Sequence, residues 1–169
     1  ITLYSSQHRG GKGKTAMGTK SDDFVEHLFV ASTHATFLFI TNFGKVYQSK
    51  VYELPMAGRS SLGKAIVNLL NFDEGEKLAT VLTVDEFTEG RYVIMATKKG
   101  RVKKTDLMAY SRPRAGGLIG VKLADGDELI AARITNGSSD VLLGSEGGKV
   151  IRFNEADVRA TARGSMGVR

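Results

Sequence analysis

The sequence predicts an all-β fold built as a propeller-like repeat of four-stranded blades, with about three blades in this chain. Three observations carry that expectation. An apolar run, a polar turn ending in glycine, a basic residue and then valine recur three times. They read "FITNFGKVYQ" around Gly44, "MATKKGRVKK" around Gly100 and "LGSEGGKVIR" around Gly148, with the turn glycines 56 and 48 residues apart. A fixed period of this size marks stacked supersecondary units. Val, Ile, Thr, Phe and Tyr fill the runs, glycines and acidic turns separate them, and no long 3.6-residue periodicity survives.

The elements follow in order. Residues 1–36 read as a partial first unit, with "ITLYSS" a marginal strand and a glycine-lysine loop behind it. Units 37–89 and 90–137 are fuller. In the second of these, "YVIMAT", "RVKKTDL", "LIGVKL" and "ELIAARIT" read as four strands. Glycine before the cation suits a hairpin turn that needs positive φ. Downstream of each turn lies another glycine segment: "SSLGKAIVNLL", "AGGLIGVKLA" and "RGSMGVR". The first two lead through an acidic turn into a new run, "DEGEKLATVLTV" and "ADGDELIAARIT". Residues 138–169 form a shortened last unit. Propellers close with about four to eight blades, so the chain, which opens on Ile1, is expected to be part of a single larger domain.

Composition narrows the classes. A hydrophobic content of 41% and a charged content of 25% describe a folded domain, not a disordered tail. No apolar run approaches the roughly 20 residues of a membrane helix, and no leader is visible, so no membrane partner is expected. The absence of cysteine excludes a disulfide framework and thiolate metal sites, consistent with a reducing cytoplasm. The net charge of +6 is unevenly spread. Lys98 to Arg114 holds seven cations and one acid, whereas Asp73 to Glu89 holds six acids and one cation. A segregated basic surface favours a polyanionic partner through counterion release.

Two readings compete for "QHRGGKGKT", Gln7–Thr15. Gly13-Lys14-Thr15 fits the tail of G-x-x-x-x-G-K-[ST], but the first glycine would have to occupy His8, and no apolar helix follows to face phosphates. The alternative needs less. Gly10, Gly11 and Gly13 permit turns that present backbone N–H groups to phosphate, while Arg9, Lys12 and Lys14 supply charge. The residues favour the phosphate-holding loop over the nucleotide-hydrolysing one.

The repeat extends the basic signal. Lys45, Arg101 and Lys149 stand directly after a turn glycine, and Gln48, Lys104 and Arg152 share the position three further on. Arg59, Arg114 and Arg163 precede the next glycine segment of each unit. With Lys14, Lys64, Lys98, Lys99, Lys103 and Arg112, the cations among these residues are expected to form a DNA-binding rim. Catalytic constellations are thin. His8, His27 and His34 have no ligand spacing, no G-x-S-x-G elbow occurs, and Asp22-Asp23 and Asp85-Glu86 read as solvated turns. No catalytic residue and no metal site is expected.

The residues "QHRGGKG" resemble the gyrase-A box, Q-R-R-G-G-K-G, at six of seven positions, with His8 in place of an arginine. The resemblance continues through "DDFVEHLFVASTH", "GKAIVNLL", "EGEKL", "MATKKGRVKKT" and "IRFNEADVR", covering nearly the whole chain. It is to the C-terminal domains of DNA gyrase A subunits. The fold implied is a β-pinwheel, a disc usually of six blades with double-stranded DNA bent around a basic rim. Gln7, His8, Arg9, Gly10, Gly11, Lys12 and Gly13 then correspond to the wrapping determinant. A histidine, unlike an arginine, carries a full charge only in acid, so one box contact is expected to be weaker.

The resemblance further implies non-sequence-specific wrapping of DNA in support of ATP-dependent negative supercoiling. The implied partners are the remainder of the gyrase A subunit, together with the B subunit, in an A2B2 holoenzyme. That holoenzyme is a type IIA topoisomerase of the bacterial cytoplasm and nucleoid. This part needs no cofactor of its own, since ATP and Mg belong to the holoenzyme. The topoisomerase IV A subunit shares the blade type but characteristically lacks an intact box. A propeller that binds protein is the alternative of a different class.

Overall fold

A positive φ recurs where the repeat demands it: Gly44, Gly100 and Gly148 sit at 74°, 79° and 75°. Each closes a hairpin of two antiparallel strands. The computed structural model describes residues 6–14, 17–20, 24–25, 27–58 and 61–169. Among them lie β1 (Thr36–Thr41), β2 (Lys45–Lys50), β3 (Leu78–Val84), β4 (Tyr92–Thr97), β5 (Val102–Asp106), β6 (Leu118–Ile119), β7 (Leu129–Thr135), β8 (Asp140–Gly144) and β9 (Val150–Asn154). The only helical elements described are short 3-10 turns, including Leu107–Tyr110 and Glu155–Asp157.

Three antiparallel sheets result, in the orders β3-β1-β2-β6, β5-β4-β7 and β8-β9. All six residues of β1 are buried, which explains its unbroken "TFLFIT". Alternate side chains serve different cores. Leu38 and Ile40 join Val93, Met95, Leu107, Tyr110 and Leu129 between the first two sheets, while Phe37 and Phe39 pack with Tyr47 and Leu70. A smaller cluster of Ile94, Val102 and Val158, with Val141, Leu143 and Phe153, joins the second sheet to the third.

The sheets do not coincide with the sequence units. "LIGVKL" reads as a strand of the second unit, but Leu118 and Ile119 pair with Val46 and Lys45 of the first sheet. The same exchange recurs one unit later, where Val168 and Val102 trade N–H···O bonds of 2.8 Å in each direction. Each of these two sheets is thus completed by the next unit. Glycine makes the exchange possible. At Gly167, with φ of 76°, an added Cβ would lie 2.4 Å from the Val102 carbonyl oxygen and 2.9 Å from the Lys103 Cβ. Only a residue without a side chain allows the backbones this close.

A second recurring device pins the first two hairpin tips. Thr41 Oγ1 donates to buried Glu76 at 2.6 Å, and the equivalent Thr97 Oγ1 donates to buried Asp127 at 2.7 Å. The acidic turns of the sequence are therefore partly internal. Burial alone would push the Asp127 carboxyl up. The Thr97 hydroxyl and the Lys99 and Glu128 amides outweigh it, holding the group below its ordinary 3.8. A depressed carboxylate stabilises the fold above its unfolded pKa and loses that contribution as pH falls through the folded one. Thermal melts should therefore weaken as pH drops below about 4. Asp127→Asn should cost about 1–3 kcal/mol at neutral pH, with the gap to the unaltered protein narrowing in acid. A gap independent of pH would show that the charge contributes nothing.

Candidate nucleic-acid interface

The segment Gln7–Gly13 is exposed throughout. Its local shape follows from its glycines. The Gly11 amide donates to the His8 carbonyl at 2.9 Å, closing a turn over Arg9 and Gly10. Gly10 occupies the third position with φ of 87°, where a type II turn requires a positive value. Arg9 and Lys12 are exposed and form no ion pair among the described residues. The result is a cationic backbone loop that a polyanion can approach closely. Thr15, the last residue of the P-loop-like pattern, lies outside the described residues. Those described from 17 to 31 contain no helix, so no dipole faces Gly13-Lys14. These residues do not fit a nucleotide triphosphate, and no group of His, Asp and Glu among the described residues fits a metal.

The expected rim divides. Lys14, Lys64, Lys98, Lys99, Arg112, Arg114, Lys149 and Arg152 are exposed, while Lys45, Arg101 and Arg163 are half-buried. Arg59 lies outside the described residues. Lys98, Arg101 and Lys149 come together on a cleft of about 580 Å³ between the second and third hairpins. Arg114 lines another, of about 450 Å³, with Tyr47, Gln48, Glu53 and Asn71. Several of these cations are already engaged. Lys45 pairs with Asp73, which raises its pKa, Lys99 Nζ donates to the Asp125 carbonyl at 2.6 Å, and Arg152 pairs with Asp140.

Two expected rim residues are corrected. Lys103 and Lys104 are buried, at 2% and 6% exposure. Lys104 Nζ lies 5.1 Å from the centre of the Tyr92 ring and donates to the Glu155 carbonyl at 2.5 Å. Lys103 Nζ donates to Thr105 Oγ1, the Gly120 carbonyl and the Arg163 carbonyl at 2.7, 2.7 and 2.8 Å. Neither ammonium is available to DNA.

The recurring position of Gln48, Lys104 and Arg152 therefore has another use. Gln48 Nε2 donates to the Tyr110 carbonyl, just as Lys104 reaches Glu155. In both cases one unit is stitched to the 3-10 turn of the next. Sequence reasoning also missed Glu155, a fully buried acid that accepts from Thr135 Oγ1, Gly137 N and Ser139 N at 2.7, 2.9 and 2.7 Å. The repeat contained the signal. Counting from the turn glycines, Glu155 occupies the place of Val51 and Leu107, so an acid interrupts an apolar position.

Comparison with known proteins gives these features a family. The model described as "DNA gyrase C-terminal domain, beta-propeller" matches residues 1–32, 35–85, 91–136 and 139–169. The chain is 50% identical over 169 residues to the A subunit of DNA gyrase from Salmonella typhimurium, covering 100% of this chain and 19% of that protein. It is 48% identical over 166 residues to that of Clostridium acetobutylicum, covering 98% and 20%. It thus spans about a fifth of the length of these relatives. Among solved structures, the C-terminal domain of DNA topoisomerase IV superposes with a TM-score of 0.75 at 28% identity, over 81% of this chain and 43% of that one. A DNA gyrase A C-terminal domain gives 0.68 at 25% identity, over 99% and 53%. The sheet repeat, the glycine-closed hairpins and the matched residues agree: the chain belongs to the DNA gyrase C-terminal domain family, of β-propeller type.

Proposed function

We propose that this chain is a DNA-wrapping part of a gyrase A subunit, holding double-stranded DNA without sequence preference. The observation that carries this reading is the exposed turn Gln7–Gly13, with Arg9 and Lys12 turned outward. In the bacterial cytoplasm the holoenzyme would join this part to the remainder of the gyrase A subunit, with the B subunit beside it. There the wrap would present a neighbouring DNA segment with fixed chirality. ATP-driven strand passage would then yield negative supercoils. This chain's own residues bind and bend. They are assigned no bond breakage and no step through ATP or magnesium.

Energetics set the demand. Bending 20–30 bp by 40–90° costs on the order of 1–6 kcal/mol, so wrapping needs many phosphate contacts along the path. The contributors proposed are the box residues with Lys14, Lys45, Lys64, Lys98, Lys99, Arg101, Arg112, Arg114, Lys149, Arg152 and Arg163. Contacts to phosphate position DNA without reading sequence. Equilibrium binding of the complete subunit to unrelated duplexes at 50 and 200 mM salt tests this. Six to ten phosphate contacts predict a loss of about 10³–10⁵ in affinity over that range, equal for all sequences. Salt-independent binding, or strong preference for one duplex, would overturn the phosphate track. The box, matched at six of seven positions, favours gyrase over topoisomerase IV, whose C-terminal domain shares the fold. Relaxation or decatenation without supercoiling would reverse that preference.

A further inference from the structure

The Lys103 ammonium, expected on the rim, instead meets three separate acceptors inside the protein. Its place explains why. Thr105 belongs to the same strand, β5. Gly120 follows β6, the strand lent to the first sheet. Arg163 lies in the segment that leads to Val168, the residue lent to the second sheet. The ammonium therefore sits where two successive exchanges meet. The Lys122 amide donates to the Ser165 carbonyl at 3.0 Å beside it, so the two lent segments also touch directly. Both segments carry exposed or half-buried arginines. Arg112 and Arg114 lie just before β6, and Arg114 opens a turn closed by the Gly117 amide donating to its carbonyl at 2.9 Å. Arg163 offers its own carbonyl to Lys103.

We propose that Lys103 is a positioning residue for DNA wrapping, its buried ammonium locking the two exchanged segments so that Arg112, Arg114 and Arg163 are held in register along the rim. The inference rests on the wrapping function proposed above. Lysine has the matching chemistry: three N–H donors, three acceptors, and a charge that strengthens each bond. The equivalent positions cannot do the same. Tyr47 spends its hydroxyl on Glu76, and Ile151 has no donor.

Protonation gives an independent handle. Burial, and then the nearby Arg163 guanidinium, lower the Lys103 pKa to about 8. The other groups bearing on it do not titrate in that range. Burial pushes Tyr110 up to about 12, a guanidinium such as that of Arg163 is always charged, and Thr105 is neutral. An amine retains two N–H donors and can accept from the Thr105 hydroxyl, so the cage survives deprotonation but loses charge assistance. The sign for folding is opposite. A lysine pKa lowered in the fold makes stability rise with pH between the folded and unfolded values. Looser wrapping with rising stability is a combination that a merely structural lysine does not produce.

The test combines the full-length subunit with a duplex of about 150 bp, one persistence length, end-labelled for energy transfer. In the unaltered protein, end-to-end transfer should fall between pH 7 and 9.5 with a midpoint near 8, while the melting temperature of the domain holds or rises. Lys103→Met should reduce wrapping affinity at pH 7.5 at least threefold and abolish the midpoint. Should Lys103→Met fail to fold, the pH profile of the unaltered protein decides alone. Wrapping that is flat across this range, or a folded Lys103→Met protein that keeps both affinity and midpoint, overturns the inference. If the unaltered protein binds the duplex without bringing its ends together at any pH, the wrapping function itself fails, and this inference falls with it.

Discussion

Replacing both Arg9 and Lys12 with alanine in the complete subunit should abolish negative supercoiling while DNA relaxation persists. The two side chains project from a turn that Gly10 and the His8–Gly11 bond fix, and both are exposed. Under the proposed wrapping, their removal takes away two phosphate contacts without altering any core residue. Each lost contact should also flatten the salt dependence by about one unit of slope. Gel assays of supercoiling with ATP and relaxation without it provide the check. Equal loss of both activities would place the loop in strand breakage, and loss of neither would remove it from wrapping. His8→Arg, which places a permanent charge in the box, should strengthen wrapping.

Glu155→Ala should destabilise the fold by about 3 kcal/mol, because buried donors that lose their acceptor cost about 1–3 kcal/mol each. Glu155 is fully buried and holds Thr135 of β7 together with the Gly137 and Ser139 amides, so it fastens the second sheet to the loop that starts the third. Burial alone would raise its pKa, but these donors lower it. The contribution is thus present above its unfolded pKa and is lost as acid protonates the folded carboxyl. For a chain of this length the loss corresponds to roughly 6–12 °C in melting temperature. Calorimetry at neutral pH checks it. A shift below about 2 °C, well short of that range, would mean that water replaces the carboxylate without cost.

The repeat and its hairpins were legible because a turn glycine is a local requirement: φ near 75° at Gly44, Gly100 and Gly148 is set within a few residues. The exchanged strands were not. β6 is two residues long and its partner lies some seventy positions earlier, at Lys45 and Val46, so no local pattern announces the pairing. Lys103 and Lys104 misled for a related reason. A lysine in a strand reads as surface, and these two are buried only because carbonyls of Gly120, Glu155 and Arg163 converge from other segments. The turn in the glycine-lysine loop was readable because nothing beyond Gln7–Gly13 is needed to build it. The division of the rim was not readable, since whether Lys45 or Arg152 meets solvent or an acid depends on Asp73 and Asp140.

The central claim is that this fold wraps DNA along a cationic track secured at Arg9 and Lys12. Ligating a nicked circular DNA in the presence of increasing amounts of the full-length subunit, then reading the linking number after protein removal, tests it most directly. Wrapping predicts a shift of one constant sign that grows with bound protein, disappears at high salt and is lost on changing Arg9 and Lys12 to alanine. Saturating binding that leaves the linking number unchanged would contradict it.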